Sequence, residues 1–156
     1  MRFLFCDQIV EFEPGIRARA TKMVSMSEEF LPEHYPRQPV MPATLVLECI
    51  AQLAGWLYVV TEHFGISTVL GLAQEVSIYK LVHPGDRLNL EVWLTYVHKG
   101  GATMRGEVRC DGELVLRAER LMFASRQNPS QIEIAQAREL FRYMSRGLEL
   151  ASERRL

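Results

Sequence analysis

The pattern of hydrophobic and polar positions changes several times along this chain, and each change marks a predicted element. Two strand-like runs come first, at residues 4–12 and 16–24, with the turn sequence Glu13-Pro14-Gly15 between them. The two runs therefore predict a β-hairpin at the start of the chain.

A long apolar run follows at residues 43–60, interrupted by Glu48 and Gln52. Pro42 suits the first turn of a helix, because its missing N–H would have no intrahelical partner there, and Gly65 is a stop signal. A helix that is apolar on nearly every side is normally buried in a core. The run approaches the length of a membrane span, but its two polar residues argue against one, so we expect no membrane span.

After this helix the pattern becomes that of strands again. Runs rich in Val, Leu, Ile and aromatic residues lie at 67–79, 87–97, 102–110 and 113–124. Turn residues separate them, and Asp111-Gly112 is the strongest short hairpin signal among these turns. We predict an α+β fold in which a hairpin, a long buried helix and a meander of about four antiparallel strands form one sheet around the helix.

The last part of the chain predicts a second, amphipathic helix. Ser130 and Glu133 have the spacing of a capping box. Apolar residues then recur at helical intervals among charged ones: Ala137, Leu140, Phe141, Met144 and Leu148. We expect residues 1–126 to form the main domain and residues 127–156 a helical extension of it. This helix could pack against the sheet, pack against a neighbouring subunit, or serve in recognition, and the sequence leaves all three open.

Composition narrows the range of partners. The chain has 156 residues and a formal net charge of −1, which suits one domain and gives no electrostatic footprint for nucleic acid. Cys6, Cys49 and Cys110 are far apart and form no CxxC motif, so neither a disulfide framework nor a zinc site is predicted. Residues 1–7 are too short for a secretory signal, and reduced thiols fit a cytoplasmic protein.

Glu48 and His34 are the candidates for chemistry. A carboxylate in an apolar helix is normally neutralised, paired or put to use, and Arg17 or Arg37 are ordinary pairing partners. His34 opens the proline-rich segment 34–42, whose prolines predict an extended backbone. Because histidine titrates near neutral pH, the two residues form a candidate acid/base pair.

The run from His34 to Glu48 resembles the motif H-F-P-G-x-P-x-x-P-G-x-x-x-x-E of the β-hydroxyacyl-acyl-carrier-protein dehydratases, a hot-dog family of fatty-acid synthesis. Residues 6–9 are similar to the V-D-R-I opening of that family, and residues 82–86 to its V-x-P-G-D turn. Related dehydratases that also isomerise their product carry Asp in place of this glutamate. The resemblance implies a hot-dog fold and a plain dehydratase.

The chain also departs from the family pattern. Tyr35 replaces the motif phenylalanine, and Arg37 and Ala43 replace the two glycines. The usual R-F-K-R run is reduced to residues 77–80, with Lys80 as its one clear cation. The family's short helix before the first strand is absent from the pattern, and the helical tail is extra.

The resemblance implies a role for each candidate residue. Removing water from a 3-hydroxyacyl thioester needs a base, an acid and a donor for the developing enolate oxygen. His34 would be the base, Glu48 the acid, and the backbone N–H of Ala43 the donor at the helix N-terminus. The family pattern implies that the Val40 carbonyl orients His34. Gln52, one turn beyond Glu48, is placed to hydrogen-bond it, and a helix-buried Gln that is satisfied elsewhere is at least equally open.

Further expectations concern partners and alternatives. Whether His34 meets its own Glu48 is open from the sequence; the resemblance implies a meeting with Glu48 of a second subunit, in a homodimer or a trimer of dimers. It also implies an acyl carrier protein with a phosphopantetheine-linked acyl chain, and neither metal nor organic cofactor. The alternatives are a hot-dog thioester hydrolase, in which Glu48 activates water, and a non-catalytic acyl-binding or regulatory protein.

Overall fold

The computed structural model describes residues 4–148, so the last residues of the predicted extension, 149–156, lie outside the described part. The elements within it are β1 (Gln8–Glu13), β2 (Arg17–Met23), α1 (Ala43–Thr61), β3 (Ile66–Ile78), β4 (Arg87–His98), β5 (Gly101–Cys110), β6 (Glu113–Gln127) and α2 (Gln131–Met144). One antiparallel sheet surrounds the long helix α1. The predicted α+β class and hot-dog fold are confirmed.

The order of the strands differs from the predicted meander. The sheet runs β1-β2-β4-β5-β6-β3, so of the four strands predicted to form the meander only β4, β5 and β6 follow one another as neighbours. β3 lies at the far edge and pairs with β6 from Ile66↔Gln127 to Ile78↔Leu116. The predicted hairpin between β5 and β6 is present, with positive φ angles of 50° at Asp111 and 81° at Gly112 that suit a tight two-residue turn.

The first predicted strand is shorter than its apolar run. Phe5 N–H donates to Gln52 Oε1 at 2.9 Å, so this residue is hydrogen-bonded to α1. The Asp7 carboxylate accepts from Met23 N–H at 2.7 Å. Asp7 N–H donates to the Thr21 carbonyl of β2 at 2.9 Å, and the regular ladder of β1 begins at Gln8.

The apolarity of α1 is explained by its position inside the sheet. The helix has 19 residues and a mean hydropathy of 1.7. By length and composition alone, it could therefore cross a membrane. It contacts β2 to β6, and Leu53 and Leu57 have no exposed surface. Pro42 precedes the first helical residue, as predicted. We conclude that α1 is the central core helix of the domain.

β5 passes close to α1 at Gly106, and this contact gives a testable prediction. A Cβ atom there would lie 3.0 Å from Ile50 Cδ1 and 3.2 Å from Val92 Cγ1. We expect Gly106→Val to lower the free energy of unfolding by about 1–3 kcal/mol in urea titrations, because overpacking forces neighbours to move. Gly55→Ala is the control, since its added methyl would come no nearer than 3.6 Å to Thr68 Cγ2. Equal losses at both sites would contradict the close approach.

The predicted capping box begins α2. Ser130 Oγ accepts from Glu133 N–H at 3.2 Å, and Glu133 Oε2 accepts from Ser130 N–H at 2.7 Å. Phe141 is 4% exposed, and its ring centroid lies 5.1 Å from that of Phe12 and 5.8 Å from that of Trp56. The second helix therefore packs on the main domain.

Candidate active site

The segment that carries His34 is a compact series of turns. Tyr35 N–H donates to the Gln38 carbonyl at 3.4 Å, Gln38 N–H donates back to Tyr35 at 3.2 Å, and Val40 N–H donates to the His34 carbonyl at 3.1 Å. The predicted extended backbone of segment 34–42 is therefore wrong. Proline excludes regular helix but is compatible with turns, and here the turns satisfy the backbone locally.

His34 has a defined orientation in this loop. Its Nδ1 lies 3.2 Å from the Val40 carbonyl oxygen, and its ring stacks on Tyr35 with a centroid separation of 4.4 Å. If Nδ1–H donates to the carbonyl, Nε2 keeps a free lone pair and is available as a base. The side chain is half-buried, so a substrate has access to it. The contact expected with Val40 is present, and its role stays a prediction.

Glu48 is held by a short chain of hydrogen bonds on α1. Gln52 Nε2 donates to Glu48 Oε1 at 2.9 Å, while Gln52 Oε1 accepts from Phe5 N–H at 2.9 Å. Since both ends of the amide are bound, Gln52 fixes the position of the half-buried carboxyl group. Arg17, one of the predicted alternative partners of Glu48, instead pairs with Glu13 at 2.7 Å.

Ala43 is the first residue of α1, so its N–H has no intrahelical partner. It lines the same small cavity as His34, with a volume of about 280 Å³. The partial positive charge of the helix N-terminus is greatest at this point. A backbone N–H without an intrahelical partner therefore lines the same cavity as His34, and its role as an enolate donor stays a prediction.

Glu48 lines a second, larger cavity of about 640 Å³. The cavity is mostly apolar, with walls from α1, β3, β6 and α2 that include Gly55, Val59, Phe123 and Ile134, and with Phe64 from the loop after α1. Within one chain, His34 and Glu48 thus line different cavities. Both cavities border β3, at opposite ends of that strand.

The three buried cysteines do not line the larger cavity, and burial makes them poor nucleophiles. Burial raises the pKa of the Cys49 thiol, and Cys49 donates to the Leu45 carbonyl. Burial, followed by the charge of Asp7, raises the pKa of Cys6 to about 12. Both thiols stay protonated at neutral pH, and Cys110 is likewise buried and free. Among residues 4–148 there is also no group of three or more His, Cys, Asp or Glu side chains placed to hold a metal ion.

The walls of the larger cavity were not predicted from the sequence. Glu48, Gln52, Gly55 and Val59 follow one another at intervals of four, three and four residues, which places them on one face of α1. This spacing was visible in the sequence, with a glycine where a side chain would fill space. The contribution of β3 and α2 left no comparable local signal.

Comparison with known proteins places the chain in a family. The family model described as a FabA-like domain matches residues 1–119. Two relatives, from Shewanella woodyi and from an Anaeromyxobacter strain, are both named 3-hydroxyacyl-[acyl-carrier-protein] dehydratase FabZ. The Shewanella woodyi protein is 37% identical over 128 residues, which cover 80% of this chain and 84% of its own length. The Anaeromyxobacter protein is 39% identical over 131 residues, which cover 80% of this chain and 83% of its own length.

Solved structures with low sequence identity share the fold. The dehydratase heterocomplex ApeI:P from Xenorhabdus doucetiae matches with a TM-score of 0.62 at 17% identity, covering 86% of this chain and 88% of its own. A hypothetical thioesterase with coenzyme A from Streptococcus pneumoniae matches with a TM-score of 0.61 at 15% identity, covering 79% and 90%. Because the family model spans more than half of the chain and close relatives agree, this chain belongs to the FabA-like family, as its motifs indicated.

Proposed function

We propose that this chain is a hydro-lyase that removes water from (3R)-3-hydroxyacyl thioesters on acyl carrier protein and releases trans-2-enoyl thioesters. The pathway would be fatty-acid synthesis or a related lipid or polyketide synthesis. The observation that carries the proposal is the Glu48 carboxyl group, fixed by Gln52 in a largely apolar cavity. The relatives named as 3-hydroxyacyl-acyl-carrier-protein dehydratases support the same reaction.

The candidate residues divide the reaction among three groups. His34 Nε2 takes the proton from the α-carbon, and the Ala43 N–H stabilises the negative charge that develops on the thioester oxygen. Glu48 donates a proton to the departing hydroxyl, which leaves as water. His34 then carries one extra proton and Glu48 one fewer, and proton exchange restores the starting state.

A site made from two subunits best accounts for the two separate cavities. The edge strand β3 exposes Val69 at 65%, Leu72 at 46% and Ile78 at 56%, and an apolar edge of this kind is typical of a surface that another chain covers. In the homodimer that we propose, or a trimer of dimers, His34 of one subunit faces Glu48 of the other. In this dimer the β3 strands of the two subunits would pair edge to edge, which would bring the His34 cavity of one subunit beside the Glu48 cavity of the other.

The proposed carrier contact lies beside the smaller cavity. The phosphodiester of a phosphopantetheine arm is anionic, so exposed cations are suitable contacts. Arg37 is exposed in the His34 loop, and Lys80 lines the cavity, although Lys80 already pairs with Glu113 at 2.5 Å. A protein that acts on carrier-bound acyl chains would work in the cytoplasm.

Product analysis tests the proposed reaction directly. We expect 3-hydroxydecanoyl-acyl carrier protein to yield the enoyl thioester without release of free thiol. Release of thiol would instead support the hydrolase alternative, with Glu48 activating water. Tight acyl binding without turnover, unchanged in Glu48→Gln, would support the non-catalytic alternative.

A further inference from the structure

The N-terminal half of α2 contributes to the larger cavity, although it lies beyond residues 1–119 that match the family model. Pro129, Glu133, Ile134 and Ala137 all line this cavity. Ile134 and Ala137 are three residues apart, so they lie on one face of the helix and present an apolar surface to the cavity. This chain therefore adds a wall that the matched part of the family does not supply.

The wall lies at the end of the cavity away from Glu48. The lining residues of α1 run from Glu48 to Val59, a distance of about 16 Å along the helix axis. Phe64 follows α1 and lines the same far end. The Arg138 guanidinium of α2 lies 5.3 Å from the centroid of the Phe64 ring, and Phe141 lies 6.0 Å from it. These contacts place α2 against the far end.

Hydrogen bonds and an ion pair fix the beginning of α2. The capping box of Ser130 holds the first turn, and Arg126 on β6 pairs with Glu133 at 2.6 Å. These contacts, with the hydrogen bonds from Ser130 foremost, also lower the pKa of Glu133 and keep it charged. Further along, Phe141 and Met144 are buried in the core. A wall anchored in this way resists displacement by a ligand.

We infer that α2 is the end wall of the acyl site and sets the longest acyl chain that the protein accepts. The inference rests on the proposed function, in which Glu48 marks the reacting end of the substrate. The terminal methyl group of the acyl chain meets Ile134 and Ala137. Chains too short to reach them lose apolar contact, and chains too long for the cavity are excluded.

Acyl-length profiles of two α2 variants test the inference. Ala137→Phe shortens the cavity and should weaken binding of hexadecanoyl-pantetheine at least about ten-fold, since each methylene kept from burial costs about four-fold. It should leave butanoyl-pantetheine unaffected. Ile134→Ala deepens the cavity and should move the preference toward longer chains. Ile132→Ala is the matched control, because Ile132 is 71% exposed on the same helix.

The binding readout separates this inference from the proposed reaction. Saturated acyl-pantetheines lack the 3-hydroxyl group, so calorimetry with butanoyl, octanoyl, dodecanoyl and hexadecanoyl probes reports the cavity without turnover. Suppose that Ile134→Ala shifts the acyl-length profile while the wild type forms no enoyl product from any 3-hydroxyacyl substrate. That result would refute the proposed reaction and support α2 as the end wall of the cavity. Profiles of both variants that match the wild type would overturn the wall, whatever the turnover. Should Ala137→Phe fail to fold, the smaller side chain of Ile134→Ala carries the same test.

Discussion

Replacing Glu48 with Gln is expected to lower the turnover of a 3-hydroxyacyl thioester by about 10²- to 10⁴-fold, the usual cost of losing a positioned acid. The substitution preserves the size of the side chain and its ability to hydrogen-bond Gln52. An amide, however, has no carboxylic proton to give to the departing hydroxyl. The initial rate of enoyl formation at saturating substrate measures the effect, and binding of saturated acyl-pantetheine should change little.

Glu62→Gln provides the control for this variant. Glu62 is the C-cap of α1 and does not line the larger cavity, so its substitution should leave turnover unchanged. Near-wild-type turnover in Glu48→Gln would remove the acid role from Glu48 and with it the proposed mechanism.

Replacing His34 with Ala is expected to cause a loss of similar size, about 10²- to 10⁴-fold, because no other side chain in its cavity suits removal of the α-proton. His34→Asn sharpens the test, since an Asn side chain can still donate to the Val40 carbonyl but offers no base in place of Nε2. Both variants should therefore be equally inactive if the base role is correct.

The control is His83→Ala, because the His83 side chain is exposed. The hydrogen bond of this residue to the Asp86 carboxylate is made by its backbone N–H, which the substitution keeps. It should retain full activity. Recovery of most of the activity in His34→Asn would show that positioning of the loop, and not proton removal, is the contribution of His34.

Elements with local signals could be predicted from the sequence. The turn at Asp111-Gly112, the helix start at Pro42 and the capping box of Ser130 each depend on residues within one or two turns of backbone. The position of β3 could not be predicted, because its pairing with β6 joins residues as far apart as Ile66 and Gln127. Competition among strands for partners is decided by the whole sheet.

The candidate site shows the same division. Gln52 lies one helical turn after Glu48, so the spacing allowed their hydrogen bond without excluding another partner for Gln52. The turns of segment 34–42 were not, since proline restricts the backbone without selecting one turn. The larger cavity could not be predicted, because Glu48 and Ala137 in its lining lie far apart in sequence and only tertiary packing brings them together.

Mixing the two inactive variants tests most directly the claim that the site is shared between subunits. His34→Ala and Glu48→Gln, carrying different tags, would be combined under conditions that exchange subunits, and enoyl formation measured. In a symmetric dimer with random exchange, we expect recovery to about a quarter of wild-type activity, because about half of the dimers are mixed and each mixed dimer has one intact site of two. A mixture that exchanges subunits yet remains no more active than its two components would contradict a site shared between subunits.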